Sequence, residues 1–408
     1  MHDEADGRLI RSGTPIFRRT ALALAAAGFS TFAVLYAVQP LLPIYADAFG
    51  VSPAESSLAL SLPCGLLAVA LLVVSPLSEV WGRKPVMLAS LFASAALTIV
   101  AALVPGWHGF LALRALTGLT ASGLPAVAMA YLAEEMDSRA IGLSMGLLVG
   151  GNALGGMSGR LISGVMADHL GWRIGLATIG VLALTAATAF WRWLPPARNF
   201  VPRRMAWREV PGSFGHHFRD AGLPWLFAVA FLLMGGFVCL YNYIGFRLLD
   251  PPFSLSQTVI GLIFSVYLAG MVSSPVTGEL ASRLGRRRVL WLATSLALAG
   301  ILMTLSNNLV LIVGGVVVTT VGFFGAHSVA SSWVGRRALR HRAQASSIYL
   351  CLYYLGSSVL GTAGGWFFAH SGWTGVVLFV GSLYGLALMI ALRLSRLAPL
   401  ALEPGTSA

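Results

Sequence analysis

The sequence predicts an all-α membrane protein: twelve transmembrane helices in two pseudo-symmetric six-helix bundles, with both termini cytoplasmic. Composition, the placement of cations and an internal duplication lead to this fold. Of 408 residues, 57% are hydrophobic and 10% charged, whereas soluble domains carry about 25% charged residues. Twelve spans of ~20 residues need about 240 apolar-tolerant positions. The hydrophobic content nearly fills them, leaving short loops, two tails and one linker, so a large soluble domain is excluded. The apolar residues run unbroken, without the alternation that a transmembrane β-barrel requires.

The first 17 residues are polar, and Arg18 and Arg19 abut an apolar run over 20–42. This run is longer than a signal-peptide core and no small-residue cleavage site follows it, so it is expected to stay as the first span. Further runs cover 54–77, 85–104, 108–133, 140–166, 172–194, 222–247, 256–279, 289–306, 309–334, 343–368 and 373–394. Between the sixth and seventh, residues 196–221 carry Arg198, Arg203, Arg204, Arg208 and Arg219 among Pro196, Pro202 and Pro211, and read as a polar linker. The chain therefore divides into an N-terminal bundle over 1–195, this linker, and a C-terminal bundle over 222–408.

The net charge of +12 comes from 26 arginines and one lysine, Lys84. They cluster between apolar runs, with none of the aromatic interleaving that a single-stranded nucleic-acid groove needs. Placing the tails and the loops after even-numbered spans on one side gathers 23 of the 27 cations there. The opposite loops hold Arg173 and Arg247, and only Arg114 and Arg160 fall inside spans. This asymmetry predicts cytoplasmic termini. Cys64, Cys239 and Cys351 stand singly in apolar runs, as buried small hydrophobes rather than metal ligands or disulfide partners.

Two motifs recur between the halves. Leu77-Ser-Glu-Val-Trp-Gly-Arg-Lys84 follows the second run, and Leu280-Ala-Ser-Arg-Leu-Gly-Arg286 follows the eighth, 203 residues later. His169-Leu-Gly-Trp172 precedes the sixth run, and His370-Ser-Gly-Trp373 precedes the twelfth, 201 residues later. Two repeats at nearly one offset indicate a duplicated six-helix unit. Parallel repeats of that kind place a binding site between the halves.

The segment around Glu79, Gly82, Arg83 and Lys84 resembles the loop signature of the major facilitator superfamily, with glutamate at the usual aspartate position. Gly285 and Arg286 repeat it, with Ser282 at the acidic position. Arg114-Ala-Leu-Thr-Gly118 resembles the fourth-helix signature of that family. Gly150-Gly-Asn-Ala-Leu-Gly-Gly156 is similar to its antiporter signature, with Asn152 at the usual proline position. The whole chain resembles a bacterial subgroup labelled arabinose-efflux-like or drug-efflux-like. The resemblance implies a secondary transporter of the bacterial inner membrane, functional as a monomer, without cofactor. It implies proton-coupled efflux of a drug-like or sugar-like solute, with uptake or exchange of an organic anion bound by Arg114 and Arg160 as the alternative. It also implies that the acid of the loop signature locks one conformational state by pairing with the other bundle.

Ionisable side chains within a span are costly and face water or one another. Arg114 and Arg160 both lie about six residues inside a span end, roughly 9 Å deep. Asp47 and Asp168 are the nearest acids in sequence, and Asp47 with Arg114 forms a candidate titrating pair. Arg114→Ala is expected to abolish transport without altering expression. Further pathway candidates are Tyr36 and Gln39 on one stripe of the first span, Asn152 on a stripe with Arg160 in the fifth, Tyr353 in the eleventh, and His327 in the tenth. Among Tyr241, Asn242 and Tyr243 at most two face the interior, and Asn242 is favoured because an amide facing lipid is unfavourable. A membrane-embedded enzyme would need nucleophile, base or metal ligands converging at one depth. His108, His169, His327 and His370 are dispersed and lack a paired acid, and there is no Gly-rich phosphate loop. An enzyme is therefore not expected.

Overall fold

A computed structural model describes residues 9–202, 215–339 and 342–397. Arg203, Arg204, Arg208 and Pro211 of the linker lie outside the described residues. Ten helical stretches among the described residues are long and apolar enough to cross a membrane. The last of them is two helices, since the backbone of Arg342–Ser395 leaves helical geometry at Ser371 and Gly372. Arg286–Met303, the ninth in chain order, with three arginines in its first turn, brings the crossings among the described residues to twelve. Twelve crossings start and end the chain on one face, here termed the near face.

Local chemistry sets the ends and breaks. The first span is Pro15–Tyr36, begun by the Thr14 hydroxyl accepting from the Phe17 amide. Pro40 and Pro43 remove backbone donors, so it continues as a 3-10 turn, Gln39–Leu41, and a short helix, Leu42–Phe49. A Ser52/Glu55 capping box opens the second, Pro53–Trp81. The third is Arg83–Leu103. The fourth breaks at Ser122 into Trp107–Ala121 and Gly123–Glu135. Ser138–Leu170, Trp172–Trp193 and Leu223–Leu249 are the fifth to seventh. The eighth breaks as the first does: Gln257–Ile263, a 3-10 turn over Phe264–Val266, then Tyr267–Leu284. Leu309–Arg337 is the tenth.

Both sequence repeats are turns built on glycine. Gly82 and Gly285 have φ of 94° and 86°, and Gly171 and Gly372 have 88° and 55°. L side chains rarely adopt this region, so glycine lets each helix pair fold back without a loop. The contacts repeat too. The first span packs on the fifth and sixth, the third on the fourth and sixth, and the second on the fourth. The seventh packs likewise on the eleventh and twelfth, the ninth on the tenth and twelfth, and the eighth on the tenth. Even the close approaches match: a Cβ on Gly155 would lie 2.6 Å from the Phe29 Cα, and one on Gly356 would lie 2.8 Å from the Phe231 Cα. Large apolar side chains such as Leu103, Val310 and Leu378 point outward, where lipid covers them. Among the described residues the one β-bridge joins Ile10 to Met136.

The bundles meet mainly at the far face, the end away from the termini. The second span packs on the eleventh, where a Cβ on Gly365 would reach Ala54 and one on Gly65 would reach Ser358. The fifth packs on the start of the eighth, where Asp168 accepts from the Gln257 amide (3.1 Å), the Thr258 amide (2.6 Å) and the Thr258 hydroxyl (2.6 Å). At the near face no ion pair among the described residues joins the two bundles: Arg83 pairs with Glu134 at 2.6 Å, Arg283 with Glu279, and Arg337 with Asp220 at the end of the linker. This is a state sealed at the far face.

Candidate functional site: a buried arginine between the bundles

The two broken helices face each other across the bundle boundary, and Arg160 of the fifth span fills the space between them. Its side chain is 1% exposed. Nε donates to Gln39 Oε1 (2.8 Å), Nη1 to the Gly156 carbonyl (2.7 Å) and Nη2 to the Tyr267 hydroxyl (3.0 Å). The guanidinium carbon lies 4.4 Å from the ring centroids of Tyr36 and Tyr267, and 5.3 Å from that of Phe264. Gln39 passes the network on, its Nε2 donating to Asn242 Oδ1 at 2.9 Å. The bonds to Tyr267 and to Asn242 both join the N-terminal half to the C-terminal half.

No carboxylate among the described residues pairs with Arg160. Burying a guanidinium costs several kcal/mol before compensation. Three hydrogen bonds to a charged donor return about 1.5–3 kcal/mol each, and each aromatic face about 0.5–2 kcal/mol. A guanidinium has five N–H donors, and three are engaged among the described residues. Two remain for an acceptor.

Arg114 differs. It is fully buried, and Nε, Nη1 and Nη2 donate to the carbonyls of Ala59 (2.9 Å), Val34 (3.1 Å) and Leu35 (2.9 Å). It clamps the second span to the first where the first unwinds, freeing carbonyls that the helix would otherwise use. The expected pair of Arg114 with Asp47 is not formed. Asp47 lies on the short helix past the break and points to the surface, because the break shifts the helical phase. Asp168 is likewise no counter-ion, since it caps the eighth span.

The other candidates fall into two groups. Tyr36, Gln39, Asn242 and Tyr241 join the Arg160 cluster, Tyr241 by its ring 5.0 Å from that of Tyr267 while its hydroxyl bonds to Thr320 Oγ1 at 2.7 Å. His327, Tyr349 and Tyr353 form a second cluster nearer the near face. His327 Nδ1 lies 3.0 Å from the Tyr349 hydroxyl, and its ring centroid is 4.6 Å from that of Tyr353. Asn152, two turns from Arg160, packs on Gly28, and its Oδ1 has no hydrogen-bond partner among the described residues. Tyr267 and Phe264 were not singled out by the sequence. A tyrosine and a phenylalanine in an apolar run carry no signal by themselves, and only the break between Gln257–Ile263 and Tyr267–Leu284 turns them toward Arg160.

In the loop signature, Arg83 forks onto both Glu134 oxygens and bonds Ser78 Oγ at 2.5 Å, and Lys84 donates to the Leu194 carbonyl. Glu79 makes no hydrogen bond or ion pair among the described residues, so the expected cross-bundle lock is absent in this state. In the second half, Asp220 accepts from Arg337 Nε at 2.5 Å and from the amides of Gly222 and Leu223. Partial burial alone would raise the Asp220 carboxyl. The Arg337 and amide hydrogen bonds outweigh it and hold the carboxyl below its ordinary value. A cavity of about 290 Å3 at the near face, lined by Ile10, Thr14, Glu135 and Arg198, shares no residue with the Arg160 cluster. No group of three or more metal-ligating side chains occurs among the described residues.

A duplicated bundle whose halves meet over a buried polar cluster is the architecture of a secondary transporter. The Major Facilitator Superfamily profile matches residues 24–251 and 241–407. The chain is 49% identical over 389 residues to the inner membrane transport protein YnfM of Escherichia coli K12, covering 95% of this chain and 93% of that one. It is 45% identical over 387 residues to the MFS-type transporter YybF of Bacillus subtilis, covering 95% and 96%. Among solved structures, a bacterial homologue of the lysosomal transporter Spinster superposes with a TM-score of 0.77 at 14% identity, over 94% of this chain and 98% of that one. The nucleoside transporter NupG does so at 0.76 and 15%, over 92% and 98%. The chain belongs to the Major Facilitator Superfamily. It is a multi-pass membrane transporter and not an enzyme, and proteins of this family bind small-molecule substrates within the membrane.

Proposed function

We propose that this chain is a monomeric transporter of the bacterial inner membrane that carries a small organic anion by alternating access. The bodies over 1–195 and 222–408 rock about the Arg160 cluster, with the linker over 196–221 and both termini in the cytoplasm. The carrying observation is the buried Arg160 guanidinium, which among the described residues has two unengaged N–H donors and no carboxylate partner. A carboxylate or phosphate group on the solute fits those donors in the planar, two-pronged manner that arginine favours. The faces of Tyr36, Phe264 and Tyr267 suit an organic rather than an inorganic anion. Arg114 acts as a clamp in this reading, outside the pathway.

A second reading, proton-coupled efflux of a drug-like or sugar-like solute, is favoured by one observation. His327 bonds the Tyr349 hydroxyl through Nδ1 and packs on the rings of Phe323 and Tyr353 in the second cluster, and imidazole is a side chain able to take up and release a proton during transport. Proteoliposomes distinguish the two. Flux is measured across a panel of radiolabelled organic anions and neutral analogues, with and without a pH gradient, for wild type, Arg160→Gln and His327→Gln. The first reading expects anion flux that Arg160→Gln abolishes. Flux of neutral solutes that follows the gradient and is lost in His327→Gln would replace it with the second.

A further inference from the structure

The duplicated architecture makes each near-face residue comparable with its counterpart about 202 residues away. In the first half Arg83, the first residue of the third span, is held by Glu134 and Ser78. Its counterpart Arg286 opens the ninth span after the same glycine turn. Glu134 is the penultimate residue of the fourth span and corresponds to Arg336, the penultimate residue of the tenth. Ser78 corresponds to Ala281. Both acceptors that satisfy Arg83 are therefore missing for Arg286, and one has become a cation.

The consequences are visible at the site. Arg286 Nε is buried and has no hydrogen-bond partner among the described residues. Partial burial first, and the like charge of Arg336 second, disfavour the Arg286 cation, and Arg336 is itself exposed without a hydrogen bond or ion pair among the described residues. Leaving a buried donor of a charged group unsatisfied is costly. A buried, unpaired guanidinium nitrogen with a cation where the other half supplies a carboxylate defines a site for an anion from outside the chain. The start of the ninth span adds free amides and the positive end of its dipole. Leu284, two residues before Arg286, and Leu339, three after Arg336, are 48% and 65% exposed, and such exposed apolar side chains near the helix ends suit acyl chains rather than water.

We propose that Arg286 and Arg336 form a binding site for the phosphate of an anionic phospholipid headgroup at the near face, standing in for the carboxylate that Glu134 supplies in the first half. A headgroup phosphate takes two guanidinium forks at once, and a basic pocket between helix ends at the cytoplasmic face suits such a headgroup. The site is separate from the Arg160 cluster and does not depend on the transported solute.

The test uses the purified full chain in neutral detergent, with thermal unfolding followed on addition of phosphatidylglycerol, phosphatidylcholine or inorganic phosphate, and retained lipid counted by native mass spectrometry. Wild type is expected to be stabilised by phosphatidylglycerol and not by phosphatidylcholine. Arg286→Ala should weaken that response about tenfold or more, the worth of one charge-assisted hydrogen bond. Arg336→Glu restores the pairing of the first half, so it should unfold at a higher temperature without lipid and lose the response. Arg288→Glu, an exposed arginine of the same turn, carries the same charge change and should keep it. The proposal is overturned if Arg288→Glu and Arg336→Glu lose the response equally, which would indicate a diffuse cationic belt. It is also overturned if wild type shows no preference for phosphatidylglycerol, or if inorganic phosphate alone reproduces the stabilisation.

Discussion

Replacing Tyr267 by phenylalanine removes one hydroxyl from the far-face seal and leaves the ring that stacks near Arg160. The hydroxyl accepts from Arg160 Nη2 at 3.0 Å and is one of two side-chain hydrogen bonds from the Arg160–Gln39 pair to the opposite half. A hydrogen bond to a charged donor is worth about 1.5–3 kcal/mol, and every 1.4 kcal/mol is tenfold in an equilibrium constant. Tyr267→Phe should therefore raise the population open at the far face by about tenfold to 150-fold. The second bond, Gln39 to Asn242, has neutral partners and is worth about 1 kcal/mol, so Asn242→Ala should shift the same equilibrium by less. The reporter is a cysteine at position 260, where Ile260 is 1% exposed in the seal, with Cys64, Cys239 and Cys351 replaced by alanine. Where closing outpaces alkylation, the rate of modification by a water-soluble maleimide follows the open population. An alkylation rate within twofold of the Ile260→Cys parent would refute the reasoning, because the bond would then not hold the seal.

Three further outcomes follow from the geometry. Arg114→Ala strands three buried carbonyls at about 1–3 kcal/mol each, so it should lower the melting temperature and the amount of folded protein; lost transport with unchanged melting would return Arg114 to the pathway. Asp220 is held below its ordinary value near 3.9, so its stabilisation is complete above that value and disappears as pH falls through the lower folded one. Melting measured from pH 6 down to pH 3 should therefore drop less steeply in Asp220→Asn than in wild type, and parallel curves would contradict the Arg337 pairing. Gly155→Val and Gly356→Val should each prevent folding, read as loss of the monodisperse peak in size-exclusion chromatography, since a Cβ at either position meets the backbone of the facing helix within 3 Å.

Much of the fold was legible because the bilayer imposes one rule on every span, apolar length. The paired turns at Gly82 and Gly285, and at Gly171 and Gly372, were visible as repeats because a helix pair closing without a loop needs glycine at one place. The site was legible only in part. Arg160, Gln39, Tyr36 and Asn242 were marked by polarity in apolar runs, but their convergence depends on the breaks in the first and eighth spans. Those breaks decided the failures too. The turn at Gln39–Leu41 carried Asp47 out of reach of Arg114 and freed the Val34 and Leu35 carbonyls that Arg114 takes instead. A buried arginine looks the same in sequence whether its acceptors are backbone carbonyls or an incoming anion. Tyr267 was missed because only its hydroxyl position, set by the 3-10 turn before it, distinguishes it from a packing residue.

The most direct measurement pairs spin labels across the two faces of one protein, at the far ends of the fifth and eighth spans and at the near ends of the fourth and tenth. Wild type should show a short far-face distance and a long near-face distance as its main population. In Tyr267→Phe a second population should grow in which both relations reverse. Far-face and near-face distances that widen together, or that stay fixed when the seal is weakened, would contradict two bundles rocking about Arg160.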